Sequence, residues 1–192
     1  MHIIKILQLG DTGIGKTYIA NKLCNRDISN IRCTIGVEFN CITININKNT
    51  YKFNFWDCTG NPNFGFIIDS FIKLCNVFVI YFDPFNKNFK TSIQFWLYKI
   101  RCDLIKDNFK VLLVGFYKGS ENIKILINSN KLHNSILKYL NDIDIDFLFV
   151  NDENIYDIFN KITGQQLFYK KKQFLHNYLF NFFSSIIKTK CK

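Results

Sequence analysis

The sequence predicts an α/β protein with a doubly wound, mostly parallel sheet of six strands and helices on both faces. Short apolar runs typical of buried strands alternate along the chain with segments whose apolar residues recur at helical spacing. The first apolar run, at residues 2–9, leads into a glycine-rich segment and then into a helical pattern. Folds of this class bind ligands at such a strand-to-helix junction, so a binding site is expected there.

The predicted strands and the first helix follow one another in a regular order. After the strand at 2–9 comes a helix at 17–25. Further strands are predicted at 37–47, 51–57, 77–82, 110–114 and 147–150. The short link between the second and third strands predicts an antiparallel hairpin, whereas the apolar runs that follow are typical of parallel strands buried on both sides.

Further helices are predicted where apolar residues recur every three or four positions. One such pattern lies within residues 93–100 and another within 132–140. A last helix is expected from Asn154 to Thr163, and Gly164 would end it. The predicted domain therefore covers residues 1–163, and a basic, aromatic-rich extension follows at 164–192.

Composition limits the class of protein. With 192 residues and 48% hydrophobic content, the chain is long and apolar enough for one folded domain, which excludes a disordered chain. Its seven cysteines lack the paired spacing of a zinc site. Because no export signal precedes them, we expect reduced thiols and a cytoplasmic protein. No run of about 20 apolar residues occurs, so no membrane-spanning helix is predicted.

The net charge of +10 is concentrated near the C-terminal end of the sequence. Residues 161–192 contain seven lysines and no acidic residue, so the preceding domain is near neutral. We therefore expect no nucleic-acid partner, and we expect the tail to contact an anionic membrane surface. Two other interpretations of the tail stay open: it only increases solubility, or it forms an extra helix packed on the domain.

The segment from Gly10 to Thr17, GDTGIGKT, fits the G-x-x-x-x-G-K-[ST] pattern of a phosphate-binding loop. Its glycines let backbone N–H groups approach oxyanions without a Cβ in the way. Lys16 can reach the terminal phosphates of a nucleotide, and the Thr17 hydroxyl can bind Mg²⁺. The candidate nucleotide-binding residues of the loop are Asp11, Thr12, Gly13, Ile14, Gly15, Lys16 and Thr17.

Two further segments narrow the class of phosphate-binding protein. Residues 34–39 read TIGVEF, and residues 56–61 read WDCTGN at the end of the third predicted strand. The first resembles the effector loop TIGV[DE]F of Rab proteins, in the Ras-like small GTPase superfamily, and the second resembles their WDTAGQ motif with three changes. The resemblance covers residues 2–162. It implies the G-domain form of the P-loop NTPase fold.

The resemblance also implies a nucleotide site. Lys16 would hold the β- and γ-phosphates of GTP, and Gly60 would donate its N–H group to the γ-phosphate. Mg²⁺ would be bound by Thr17, Thr34 and Asp57, with Thr34 joining when the triphosphate is present. Because the γ-phosphate contacts are lost on hydrolysis, these segments would form a GTP/GDP switch.

Partner proteins are implied by the same resemblance. Rab proteins present three aromatic side chains to their effectors, and Phe39, Trp56 and Phe71 match those positions. Large exposed aromatic side chains are typical of surfaces that a partner covers. The remaining effector-binding candidates are Ile35, Gly36 and Val37. The implied role is in vesicle trafficking, with the protein peripheral on endomembranes.

The chain departs from the Rab pattern at the catalytic position. Asn61 replaces the glutamine that orients the attacking water, and its side chain is one methylene shorter. Pro62 stiffens the peptide that follows. Lys16 and Asn61 are the catalytic candidates. Because positioning supplies nearly all of the catalysis in this reaction, the change at Asn61 predicts slow or absent hydrolysis.

The base-recognition motifs of the family are missing. Where N-K-x-D is expected, the chain has FYKG at residues 116–119, and where S-A-K is expected it has VNDE at residues 150–153. Groups that pair with guanine discriminate because leaving them unpaired is costly. Their removal predicts weak binding of GTP and GDP together with relaxed base selectivity.

The leading hypothesis is a Rab-like homologue that binds nucleoside triphosphate with Mg²⁺ and acts through effector proteins. Two alternatives stay open. In one, the protein is a conventional GTP/GDP switch whose base contacts come from an unconventional loop at residues 116–120. In the other, it is a P-loop kinase or ATPase, which the TIGVEF segment disfavours.

Overall fold

The computed structural model describes residues 1–103, 109–117 and 145–164. The strands in these residues are β1 His2–Gly10, β2 Val37–Ile46, β3 Asn49–Cys58, β4 Val77–Phe82, β5 Lys110–Phe116 and β6 Ile145–Val150. The helices in these residues are α1 Lys16–Leu23, α2 Gly65–Ile72, α3 Phe89–Asp103 and α4 Asp157–Thr163, with a 3₁₀ turn at Pro62–Phe64.

The strands form one sheet in the order β2-β3-β1-β4-β5-β6. β2 pairs antiparallel with β3, and every other neighbouring pair is parallel. The predicted fold class is thereby confirmed, including the hairpin of β2 and β3. Because β1 lies inside the sheet between β3 and β4, the loop that follows it emerges near the middle of the C-terminal edge of the parallel strands.

Helices cover the sheet on both faces. α1 and α4 pack on one face, where the ring of Phe159 lies 4.5 Å from that of Phe53 and 6.2 Å from that of Phe55, centroid to centroid. α2 and α3 pack on the other face around the buried side chain of Trp96. Dense apolar packing on both faces makes the sheet a rigid support for the loops at its edge.

The hairpin of β2 and β3 closes with a two-residue turn at Asn47 and Lys48. Both residues have positive φ, 46° and 69°, as in a type I′ turn. The sequence indicated a hairpin here without the Asn-Gly pair that is typical of this turn. Lys48 therefore occupies a backbone conformation that glycine adopts more readily.

Some predicted elements differ from the structure or lie outside it. The sequence did not predict α2, which has 8 residues that are apolar except for Gly65, Asp69 and Ser70, because so short an apolar run is not distinguished from a buried strand by periodicity alone. The helix predicted within residues 132–140 and the tail at 165–192 lie outside the described residues. Among the described residues, no helix is long and apolar enough to span a bilayer.

Candidate functional site

The loop between β1 and α1 has the backbone that phosphate binding requires. Gly10, Gly13 and Gly15 have φ values of 136°, 78° and 97°, a region that residues with a Cβ rarely adopt. Gly15 is the N-cap of α1, and because glycine has no side chain it cannot cap the first N–H groups of the helix. The first N–H groups of the helix are therefore directed to the space above the loop, where an anion would be stabilised.

Lys16 lies inside this turn and is only 6% exposed. Its Nζ donates to the carbonyl oxygens of Gly10 and Asp11, each at 2.8 Å. Burial lowers the pKa of Lys16, and the nearby Asp57 carboxylate acts in the opposite direction. An ammonium group has three protons to donate. Two are directed to the loop, which leaves the third for a phosphate oxygen.

Three side-chain oxygen atoms from distant parts of the chain meet beside this loop. The Thr17 hydroxyl donates to Asp57 Oδ2 at 2.5 Å, and its Oγ1 atom lies 2.8 Å from Thr34 Oγ1. The Thr34 hydroxyl also donates to Asp57 Oδ2, at 3.2 Å. Hydroxyl and carboxylate oxygens are the hard ligands that Mg²⁺ prefers. This donor set fits the metal that the resemblance implied.

Asp57 is fully buried, and its Oδ1 atom has no hydrogen-bond partner within the described part of the chain. Burial raises the pKa of this carboxyl, and the hydrogen bond from Thr17, the charge of Lys16 and the hydrogen bond from Thr34 oppose the rise. A buried carboxylate oxygen without a partner is costly. A divalent cation beside it would supply the missing interaction.

Gly60 lies directly against the phosphate-binding loop. A Cβ at this position would overlap the backbone of Asp11 and Thr12. The Thr59 N–H group donates to the Gly36 carbonyl at 2.9 Å, which joins the TIGVEF segment to the segment that contains Gly60. The two segments singled out in the sequence therefore meet at the loop.

A cavity of about 570 Å³ opens between the phosphate-binding loop and these two segments, which is a size suited to a nucleotide. Of the residues predicted from the sequence, the lining contains Thr12, Gly13, Gly15, Lys16, Thr17, Thr34, Ile35, Gly60 and Asn61. The lining residues that the sequence did not predict are Tyr18, Ile31, Arg32, Cys33, Cys58, Thr59 and Phe64. Most of these directly adjoin a predicted residue in the chain, which was the available signal.

Asp11 and Ile14 lie outside that cavity, although the loop pattern included both. Asp11 Oδ1 accepts hydrogen bonds from Ser92 Oγ at 2.6 Å and from Trp96 Nε1 at 3.2 Å. Its carboxylate is therefore held against α3, and Asp11 and Ile14 line a smaller cavity of about 190 Å³. Asp11 connects the loop to α3, and this placement keeps a negative charge out of the main cavity.

Asn61 lines the main cavity, but its side chain has a structural partner. Its Oδ1 atom accepts a hydrogen bond from the N–H group of Asn63 at 3.0 Å and thereby caps the 3₁₀ turn at Pro62–Phe64. An amide oxygen used as a cap is held close to its own backbone. This local role was not predicted from the sequence.

An aromatic ring fills the first position of the missing N-K-x-D motif. Phe116 is 7% exposed, and a Cβ added to Gly15 would lie 3.2 Å from its ring. The rings of Phe116 and Tyr18 are 5.9 Å apart, centroid to centroid. Phe116 thus belongs to the packed core beneath the loop, while residues 118–119 lie outside the described residues.

An ionic cluster lies where the S-A-K motif was expected. The Tyr18 hydroxyl and the Lys22 ammonium group each donate to Asp152 Oδ1 at 2.6 Å. These contacts connect α1 to the segment that follows β6. The Asp152 side chain remains 56% exposed, so the contribution of the pair to stability is small.

The three aromatic effector candidates are contiguous. Phe39 and Trp56 are directly opposite each other on β2 and β3, with ring centroids 5.3 Å apart. Trp56 and Phe71 follow at 6.5 Å. Beside this row, Ile35 is 88% exposed, Gly36 has a φ of 79°, and Val37 packs partly on the core. The six residues predicted from the sequence therefore lie in one region of the structure.

The fold and the site together define a nucleotide-binding protein of the P-loop class. A sequence profile described as "Ras of Complex, Roc, domain of DAPkinase" matches residues 5–119, which is more than half of the chain. The chain belongs to this family, within the Ras-like small GTPases, as the resemblance predicted.

Several Rab proteins are similar to the chain. Identity is 29% to Ras-related protein Rab-11B of Dictyostelium discoideum, over 59% of this chain and 52% of Rab-11B. It is 26% to Ras-related protein SEC4 of Saccharomyces cerevisiae, over 82% of this chain and 72% of SEC4. It is 30% to Ras-related protein Rab-1A of D. discoideum, over 59% of this chain and 56% of Rab-1A. The chain thus spans little more than half the length of two of these relatives.

Proposed function

We propose that this protein binds nucleoside triphosphate together with Mg²⁺ and acts as a Rab-like switch with relaxed base selectivity. The observation that carries the proposal is the meeting of the Thr17, Thr34 and Asp57 oxygen atoms beside Lys16. These three side chains come from α1, from the segment before β2 and from β3. Their convergence, together with the unpaired Asp57 Oδ1, supports a site for a metal and a polyphosphate.

Each residue has a distinct role in the proposed complex. Lys16 contacts the β- and γ-phosphates with the proton that the loop carbonyls leave available, and Gly60 donates its N–H group to the γ-phosphate. Mg²⁺, bound by Thr17, Thr34 and Asp57, neutralises phosphate charge. The backbone N–H groups at the start of α1 add the field of the helix N-terminus.

Relaxed base selectivity is supported by the groups that replace the two guanine-reading motifs. Phe116 offers only an apolar ring, which is packed against Gly15 and Tyr18. The Asp152 carboxylate accepts hydrogen bonds from Tyr18 and Lys22. Its capacity as an acceptor is therefore partly used within the protein, and weak discrimination among bases follows.

Slow hydrolysis is supported by the local role of Asn61. Its side-chain oxygen caps the 3₁₀ turn, whereas catalysis would require a side chain that orients water at the γ-phosphate. Giving up the cap would cost about 0.5–2 kcal/mol, and the shorter side chain would then still have to reach the water.

The proposed partner surface is the contiguous row of Phe39, Trp56 and Phe71 with the exposed Ile35. The chain is similar to the Ras-related proteins Rab-11B and SEC4, and we propose for it the role in vesicle trafficking that its resemblance to Rab proteins implies. In the proposed arrangement the domain covers residues 1–163, and the basic tail at 164–192 contacts anionic endomembranes.

Calorimetric titration of the full chain with GTP, GDP and ATP, each with Mg²⁺, tests the proposal. We expect the dissociation constants for GTP and ATP to agree within about tenfold, because the two motifs that read guanine are replaced in this chain. Removal of Mg²⁺ by a chelator, or the substitution Thr17→Ala, should abolish most of the binding. Thr43→Ala, at an exposed position of β2, is the matched control and should bind as the wild type does.

Two outcomes would contradict the proposal in different ways. Nanomolar binding that is selective for GTP would show a conventional GTP/GDP switch, with base contacts from the residues after β5. Failure to bind any of the three nucleotides would remove the nucleotide from the function and leave only the partner surface.

A further inference from the structure

The segment just before the TIGVEF motif contributes a positively charged residue to the lining of the main cavity. Arg32 lines this cavity, with Ile31 and Cys33 on either side of it in the sequence. Thr12 and Gly13 of the phosphate-binding loop, together with Gly60 and Asn61 of the second segment, line the same space. Arg32 therefore belongs to the wall of the cavity in which we propose that the phosphates bind.

The position of Arg32 is restricted by its neighbour Thr34. The Thr34 hydroxyl bonds to Thr17 and Asp57, so the backbone of residue 34 is held at the proposed metal site. Two residues of chain span at most about 7 Å. The Cα atom of Arg32 thus lies within that distance of the Thr34 Cα atom, and an arginine side chain is long enough to extend from there to a phosphate bound beside the metal site.

The guanidinium group has no competing ionic partner in the described residues. None of the ion pairs found there includes Arg32, and the side chain is exposed. Apart from Lys16, whose Nζ is bonded to two loop carbonyls, Arg32 is the only basic residue that lines the cavity within the described ranges. A guanidinium group forms paired hydrogen bonds with phosphate oxygens, which an ammonium group cannot do.

We propose that Arg32 is a catalytic residue that binds the γ-phosphoryl group of the nucleoside triphosphate during hydrolysis, as an arginine finger supplied by the chain itself. This inference rests on the proposed nucleotide binding. In other phosphate-binding proteins such an arginine comes either from the same chain or from a partner, and it acts on charge that develops in the transition state.

The chemical step that Arg32 would assist is a simple displacement. The oxygen of a water molecule forms a bond to the γ-phosphorus, and the bond from the γ-phosphorus to the β–γ bridging oxygen breaks. The bridging oxygen keeps the electron pair and leaves with the nucleoside diphosphate, while one water proton is lost to the phosphate or to solvent. Arg32 gives up no proton, and its charge and hydrogen bonds stabilise the negative oxygen atoms in the transition state.

This role is distinct from that of Asn61. Orientation of the attacking water and stabilisation of the phosphoryl charge are separate contributions to the rate. Asn61, which is short and serves as a cap, limits the orientation of the water. Arg32 supplies the stabilisation of the phosphoryl charge. Hydrolysis by the wild-type chain is therefore slow, and it becomes slower still without the arginine.

Single-turnover hydrolysis by Arg32→Ala, Arg32→Lys and Arg26→Ala, in the full chain with Mg²⁺, tests the inference. We expect Arg32→Ala to lower the rate constant by about 100-fold to 1,000-fold, the usual effect of removing one transition-state donor. Arg32→Lys should recover part of this loss, since it keeps the charge but not the paired donors. Arg26 is the matched control, because it is exposed on the same segment and does not line the cavity.

Binding provides a second measurement that does not depend on turnover. Aluminium fluoride with GDP and Mg²⁺ imitates the γ-phosphoryl group in the transition state. We expect it to tighten GDP binding by the wild type and by Arg26→Ala at least about tenfold, and to leave GDP binding by Arg32→Ala unchanged. GDP and GTP affinities measured without fluoride should differ by less than about tenfold between wild type and Arg32→Ala.

The outcomes separate this inference from the proposed function. If the wild type binds no nucleotide, both are overturned. If nucleotide binds, but the rate and the effect of fluoride are the same with and without Arg32, only the arginine finger is overturned. The same holds if Arg32→Ala weakens GTP and GDP binding equally without changing the rate constant, because the arginine would then be a ground-state contact.

Discussion

Substitution of Asp57 by asparagine should change stability and metal binding in opposite directions. Asp57 is fully buried, and its Oδ1 atom has no partner among the described residues. Asparagine keeps the shape of the side chain and an oxygen that can accept hydrogen bonds from Thr17 and Thr34. It removes the buried negative charge, and with it the ability to bind Mg²⁺ as a carboxylate.

The direction of the pKa shift fixes the sign of the effect on stability. The pKa of Asp57 is raised, which means that burial outweighs the hydrogen bonds from Thr17 and Thr34 and the attraction of Lys16. The charged carboxylate is therefore less stable in the folded protein than in the unfolded chain. A buried polar group without its partner costs about 1–3 kcal/mol. We expect Asp57→Asn to raise the free energy of unfolding of the nucleotide-free protein by a similar amount.

The same shift predicts how this gain depends on pH. An unfolded aspartate has a pKa of about 3.9, and the folded value lies above it. Below about pH 4 the carboxyl is protonated in both states and has no charge to bury. The cost appears as the pH rises through the folded pKa. The advantage of Asp57→Asn should thus be largest at neutral pH and should vanish in acid.

Thermal unfolding with and without Mg²⁺ and GTP measures both effects. Without ligand, Asp57→Asn should unfold at a higher temperature, by about 2–4 °C for each kcal/mol. With ligand at about 1,000 times its dissociation constant, the wild type should gain about 4.1 kcal/mol and the variant much less, so the order reverses. A variant that is less stable than the wild type without ligand would refute the reasoning about the buried charge. A variant that keeps its Mg²⁺-dependent gain would refute the metal site.

Two other predictions concern the catalytic position and the tail. Asn61→Gln should raise the single-turnover hydrolysis rate at least about tenfold, because the glutamine side chain reaches further towards the attacking water. It should also lower the free energy of unfolding by about 0.5–2 kcal/mol through loss of the cap. An unchanged rate would show that orientation of the water does not limit hydrolysis. The full chain should float with anionic liposomes and not with neutral ones, and replacement of Lys170, Lys171 and Lys172 by alanine should reduce this binding. Equal flotation with both kinds of liposome would contradict an electrostatic tail.

Much of the site was predictable because it depends on backbone geometry and on spacing. The glycines at positions 10, 13 and 15 indicated a loop whose backbone could approach a phosphate closely, and all three have positive φ in the structure. The meeting of Thr17, Thr34 and Asp57 was implied by the family resemblance, although these residues are far apart in the sequence. The order of apolar runs was sufficient to predict the sheet and the hairpin.

The parts that sequence reasoning missed depend on side-chain orientation. Asp11 belongs to the loop pattern, but Ser92 and Trp96 hold its carboxylate against α3. Asn61 occupies a catalytic position, yet it serves as a cap for the turn that Pro62 begins. Motif spacing specifies neither orientation: the partners of Asp11 are distant in the sequence, whereas Asn61 bonds to the nearby N–H group of Asn63. Each side chain could either bond to another part of the protein or point into the cavity, and in both cases the hydrogen bond to the protein is the one formed.

The hydrogen bond from the Thr59 N–H group to the Gly36 carbonyl bears on the surface that a partner protein would contact. It joins two segments that both line the main cavity, one through Thr34 and Ile35 and the other through Thr59 and Gly60. A molecule resting on Phe39 and Trp56 would thus sense both loops at once, and displacement of either would alter the shape it meets.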